Sequence, residues 1–170
     1  MKTLKTTLIL FLLSSPFIFI DLYSKHLANK FITSEDKEII IYKDIKFGVP
    51  VVNKGFAFQN LDSVSIWHRG ASKILLFALC ILLLFAEGGN IFDRVVFTIF
   101  RGGALGNAID LFFLGGVTDF IHIYPTADTY YVLNFADIFV TLSAGFLIFQ
   151  GLGFLFYYLG AWIINLFKFK

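Results

Sequence analysis

Charge is scarce in this sequence. Asp, Glu, Lys and Arg together make up 15% of its 170 residues, where soluble domains carry about a quarter. Cysteine is nearly absent, and the single Cys80 sits inside an apolar run. An intrachain disulfide and a cysteine-rich metal site are therefore excluded, and a buried thiol is the plain reading. Basic clusters are missing too. The net charge is only +2, and the longest basic stretch is the tail Lys168-Phe169-Lys170, so a nucleic-acid surface is not expected. His26, His68 and His122 form no metal-ligand spacing, and neither a metal nor any other cofactor is expected. Ser24 lies beside Lys25 rather than facing it, which disfavours a serine nucleophile. No internal repeat or low-complexity tract is visible.

What is present is apolar. Hydrophobic residues make up 58% of the chain, with 23 Phe and 7 Tyr, and the chain is too short to bury such a load in a core of its own. Lipid is the better solvent. Four apolar stretches, at about 7–22, 71–86, 95–114 and 135–156, approach the ~20 residues needed to cross a bilayer. Inside lipid the backbone must satisfy itself, so these are expected as helices. Lys2 and Lys5 ahead of the first stretch resemble the start of a secretory signal. No small-x-small cleavage site follows, and the stretch is read as an uncleaved first span. Tyr157, Tyr158 and Trp162 suit an interfacial aromatic belt.

The polar segment 25–70 separates the first two spans. Its alternation around Ile41, Lys43 and Ile45 suggests a strand over 39–47. Gly48 and Pro50 then suggest a turn, with a second strand over 51–58. The expected fold is a single mainly α membrane domain, residues 1–170, with four transmembrane helices and a small β-sheet subdomain within 25–70 on the membrane surface. Four spans put segments 25–70 and 115–133 on one side. Counting basic residues does not decide which side that is.

Polar groups inside spans are costly and mark function. The third span carries Arg101, Asn107 and Asp110 among Gly102, Gly103 and Gly106, and these glycines permit close helix approach. Asn107 and Asp110 share a helix face, as do Asn134 and Asp137 at the start of the fourth span. Antiparallel helices bring both pairs near one membrane surface, with Asp119 between them. Should Asp119 turn to the bundle, it meets Asp137, and two close carboxyls share a proton and can activate one water. Should it turn to water, it is a solvated loop carboxylate, and Asp137 is a helix-start residue favoured by the dipole. The residues alone leave both readings open.

Five segments carry a resemblance. Gly102-Gly103-Ala104-Leu105-Gly106-Asn107-Ala108-Ile109-Asp110 resembles the GGxxGNxxD motif of the lipoprotein signal peptidase family, also called signal peptidase II. Val117-Thr118-Asp119-Phe120 and Asn134-Phe135-Ala136-Asp137 resemble its VxDF and NxAD elements. Asp21-Leu22-Tyr23-Ser24-Lys25 is similar to its DxxSK-type motif, and Asn53-Lys54-Gly55-Phe56-Ala57-Phe58 to its NxGxAF element. All five stand in the family's order across nearly the whole chain.

The resemblance implies a membrane aspartyl endopeptidase whose catalytic pair is Asp119 and Asp137. It implies a supporting polar set of Asp21, Lys25, Asn53, Gly55, Asn107, Asp110 and Asn134. The implied substrates are diacylglyceryl-modified bacterial prolipoproteins, cut just before the lipidated cysteine. Membrane lipid and globomycin-type inhibitors are the implied further partners. The implied location is the bacterial cytoplasmic (inner) membrane, with the active site on its outer side. The chain departs from the family pattern at Leu111, where Arg is usual, and at Arg101, where an aliphatic residue is usual. An alternative is a catalytically impaired homologue that binds lipoprotein precursors or a membrane partner.

Overall fold

The structure is a computed structural model that describes residues 2–54, 89–126 and 129–168. Within them the chain forms helix α1 (Lys2–Phe31), a short 3-10 turn (Glu35–Lys37), strands β1 (Ile39–Tyr42) and β2 (Ile45–Asn53), helix α2 (Ile91–Leu114), strands β3 (Val117–Thr126) and β4 (Thr129–Leu133), and helix α3 (Phe135–Lys168). Three helices among the described residues are long and apolar enough to cross a membrane: Leu8–Phe31, Ile91–Leu114 and Phe135–Asn165. They correspond to the first, third and fourth expected spans. The expected second span, 71–86, lies outside the described residues.

Helix α1 runs nine residues past the expected limit at 22, to Phe31. Pro16 lies inside it and has no N–H to offer the carbonyl of Leu12. The Ser15 hydroxyl donates to that carbonyl instead, at 2.7 Å, so the freed acceptor is satisfied within the helix. Helix α2 begins at Asn90, whose side chain accepts from the Asp93 N–H at 2.9 Å. It ends at Gly115, whose φ of 68° is the left-handed conformation that glycine supplies at a helix C-terminus.

Close helix packing explains the glycines of α2. A Cβ on Gly103 would lie 2.6 Å from the Ala136 carbonyl of α3, and one on Gly106 would lie 2.5 Å from Asp21 Oδ2 of α1. Helix α2 is thus pressed between the other two at the level where its polar residues begin.

The four strands form one antiparallel sheet in the order β1-β2-β3-β4. The sheet packs on the end of α1 and the first turns of α3 through a cluster of Ala28, Ile32, Phe120 and Ile121, with Phe47, Leu133 and Phe135 around them. Because β2 pairs with β3, the described strands of segments 25–70 and 115–133 lie together at one end of the helices.

Three expectations about the strands are corrected. The chain reverses at residues 43–44, not at Gly48 and Pro50, so the strand expected over 39–47 is two strands. The reversal uses Lys43 at φ 36°, a residue that carries none of the usual hairpin signals. Gly48 and Pro50 instead lie in an irregular part of β2, where Phe47 pairs Ile121 and Val51 pairs Asp119. Proline cannot donate to a ladder, and bulges are one of the few places a sheet tolerates it. Finally, half of the sheet comes from β3 and β4, outside the 25–70 segment to which the whole sheet was assigned.

Candidate active site

The polar site lies where β3, the end of α2 and the start of α3 meet the last third of α1. Asp119 reaches it from β3, and its side of the sheet follows from register. Val51 pairs with Asp119, and Asn53 pairs with Val117, so Asn53 is the diagonal same-face neighbour of Asp119. The Asn53 amide donates to Asp119 Oδ2 at 3.1 Å. Asp119 is only 3% exposed, so it is turned to the bundle and not to open solvent.

Asp137 reaches the site from the first turn of α3. The Asn134 side-chain oxygen accepts from the Asp137 N–H at 2.9 Å, while Asp137 Oδ2 accepts from the Asn134 N–H at 3.1 Å. This reciprocal pair is a capping box, and it uses only part of Asn134. The Asn134 amide also donates to Asp119 Oδ1 at 2.7 Å, to Asn107 Oδ1 at 3.1 Å and to the Thr118 carbonyl at 3.3 Å. A single fully buried asparagine therefore touches both carboxyls.

Behind this pair sits a buried charge cluster. Lys25 Nζ lies 2.7 Å from Asp21 Oδ2 and 3.3 Å from Asp110 Oδ2, and donates to Asn107 Oδ1 at 3.0 Å. The Asn107 amide passes the connection on to Asp137 Oδ1 at 2.9 Å. Asp21 Oδ1 accepts from the Ala136 N–H at 2.8 Å, and Asp110 Oδ2 from the Thr118 N–H at 2.9 Å. These two bonds tie α1 to α3 and α2 to β3, so the same carboxylates that hold Lys25 also fix the elements that carry Asp119 and Asp137.

Four carboxyl groups share the site with one ammonium, an excess of acid that favours retention of a proton. Burial lifts Asp119 to about 6, opposed by the Asn53 and Asn134 amides and by Lys25 and reinforced by the charge of Asp137. A carboxyl poised there can act as acid or base near neutral pH.

Eight of the nine singled-out residues fall among the described ones, and all eight are in this network. Gly55 lies outside the described residues. Sequence reasoning missed the main chain of Thr118, which donates to Asp110 and accepts from Asn134, because backbone groups leave no residue-type signal. The two departures lie off the network. Leu111 is exposed on α2, and Arg101 is buried with its guanidinium 6.0 Å from the Phe97 ring centroid.

The chain resembles known proteins along most of its length. A lipoprotein signal peptidase of Haemophilus ducreyi is 32% identical over 147 residues, covering 81% of this chain and 87% of that protein. One of Pasteurella multocida is 31% identical, covering 80% and 84%. One of Aeromonas hydrophila subsp. hydrophila is 29% identical, covering 71% and 82%. Two solved structures of a bacterial membrane enzyme superpose with TM-scores of 0.63 and 0.62 at 22% and 21% identity. The first covers 85% of this chain and 88% of its own, the second 84% and 91%, and both support the fold. The family description signal peptidase (SPase) II matches residues 13–153. With that span covering both carboxyls and the asparagine between them, the chain belongs to the signal peptidase II family.

Proposed function

We propose that this chain removes signal peptides from diacylglyceryl-modified bacterial prolipoproteins by aspartyl chemistry, cutting just before the lipidated cysteine. The observation that carries the reading is the bridging of Asp119 and Asp137 by Asn134, within a buried cluster at the end of the spanning helices. One carboxyl of the pair is ionised and takes a proton from water as its oxygen attacks the scissile carbonyl carbon. The other is protonated and donates to the carbonyl oxygen, giving a neutral tetrahedral diol. The carboxyl that took the water proton then gives it to the leaving nitrogen, while the other, now ionised, takes a proton from a diol hydroxyl. The C–N bond breaks as the new C=O forms, releasing the signal peptide with a new carboxyl end and the lipidated cysteine amine.

Lys25 stands behind the pair, joined to Asp137 through Asn107, and orients the amide that holds Asp137. The apolar faces of the helices admit the diacylglyceryl chains from the bilayer, and the peptide lies against the sheet on the outer side of the cytoplasmic membrane. Asp119→Asn and Asp137→Asn are each expected to abolish cleavage of a lipidated prolipoprotein in a reconstituted assay while the protein still folds. Cleavage at the wild-type rate by either variant would end this reading.

A further inference from the structure

Asn53 reaches Asp119 only because β2 carries extra residues. Between the pairs Phe47–Ile121 and Val51–Asp119, β2 has Gly48, Val49 and Pro50 where β3 has Phe120 alone. Both pairs are an even number of residues apart on each strand, so the side chains beyond the bulge keep their face. A bulge one residue shorter would swing Asn53 to the opposite side of the sheet.

Two side chains grip the middle of that bulge. The Val49 N–H donates to Glu38 Oε1 at 3.2 Å, and the Val49 carbonyl lies 3.1 Å from His122 Nε2. A carbonyl accepts only, so Nε2 bears the hydrogen and Nδ1 is free to accept from the Tyr124 hydroxyl, 3.4 Å away. The imidazole lies flat against Gly48, where a Cβ would be 2.7 Å from the ring. Glu38 is itself held by an ion pair with Lys46, the residue that pairs with His122 across the sheet. Burial lowers the pKa of His122, which favours the neutral ring that this arrangement uses. Neither Glu38 nor His122 touches the carboxyl pair.

We propose that His122 and Glu38 are positioning residues which lock the β2 bulge at Val49 and so keep the Asn53 amide on Asp119. The inference rests on Asp119 being a catalytic carboxyl, and it extends the active site to the far edge of the bulge. The full-length protein in lipid micelles tests it by two measurements: kcat/KM on a lipidated prolipoprotein across pH, and carboxyl titration by NMR with labelled aspartate, assigned through Asp119→Asn.

His122→Ala is expected to lower kcat/KM roughly tenfold and to move the Asp119 titration upward, because a donor to its ionised form is lost. Asn53→Ala gives the same shift, and combining the two changes adds little to either. His122→Gln, which keeps a donor for Val49, recovers most of the loss. An unshifted titration in His122→Ala, or losses that simply multiply with Asn53→Ala, would overturn the proposal. If Asp119→Asn cleaves normally the catalytic reading falls, and the titration still decides the clamp. If Asp119→Asn is inactive and His122→Ala matches wild type in both measurements, the clamp alone falls.

Discussion

Asn134 and Asp137 cap each other, and the asparagine amide left over from that exchange is the group that holds Asp119 Oδ1 at 2.7 Å. The start of α3 and the geometry of the carboxyl pair are therefore one feature. Asn134→Ser keeps a side-chain oxygen for the cap but removes the amide. It is expected to retain most thermal stability and lose at least about 100-fold in kcat/KM, in the range seen when a positioned catalytic hydrogen bond is removed. Retained activity in Asn134→Ser would show that the amide contact to Asp119 is dispensable.

Asp119 fixes a pH dependence whose sign follows from its environment. Its pKa is raised by burial from 3.8 to about 6, so the folded state binds a proton more tightly than the unfolded chain. The resulting stabilisation is complete below about pH 4 and is lost as pH rises through about 6, a change on the order of 3 kcal/mol. Thermal unfolding in detergent should show this decline in the wild type, and Asp119→Asn should make it shallower and unfold at a higher temperature near pH 7.

In the proposed mechanism the same group would also set an alkaline limb for the cleavage rate. The proposed pair works with one proton between two carboxyls, and that proton is released as pH passes the higher apparent pKa of the pair. For the free enzyme, kcat/KM is expected to fall tenfold per pH unit well above about 6. A profile flat from pH 5 to pH 9 would contradict a carboxyl pair of this kind.

Lys25 is 3% exposed and faces two aspartates. Lys25→Met leaves Asp21 and Asp110 buried without their cation, a loss expected to destabilise by about 3–5 kcal/mol. Adding Asp21→Asn and Asp110→Asn should recover part of the unfolding temperature but not the cleavage rate, since Asn107 would still lack the ammonium that orients it. Full recovery of both would make the cluster purely a folding device.

Helix packing offers a contrast between a crowded glycine and an open one. Gly103→Ala drives a methyl against the Ala136 carbonyl and is expected to cost about 1–3 kcal/mol through overpacking. Gly151→Ala meets open space and should be neutral or stabilising by up to about 1 kcal/mol. Paired melts of the two variants check both directions.

The described helices and the polar network at their end were readable in the sequence for physical reasons that the strands do not share. An asparagine or aspartate within an apolar run is conspicuous against lipid, which is why Asn107, Asp110, Asn134 and Asp137 stood out. The three-residue spacings fixed their faces. Strand register carries no such contrast. The reversal puts Lys43, which has no turn preference, at positive φ with a lone Asp44 as its turn signal, and Gly48 and Pro50 signalled a break that the fold realises as a bulge. The grip of Glu38 and His122 on Val49 spans more than 80 residues of chain and depends on a pairing that composition does not encode. Thr118 contributes through its peptide groups, which every residue has.

Helix α1 runs unbroken from Lys2 to Phe31, about 45 Å at 1.5 Å per residue, half as long again as the hydrocarbon layer. The ammonium of Lys25 and the apolar seat of the sheet at Ala28 and Ile32 are therefore mounted on a single mast, within two turns of each other. Their vertical offset cannot vary as the bilayer thins or thickens. Mismatch is absorbed by leaning the whole mast, which changes how deep the carboxyl pair stands relative to the headgroups while the pair and its supports stay in register.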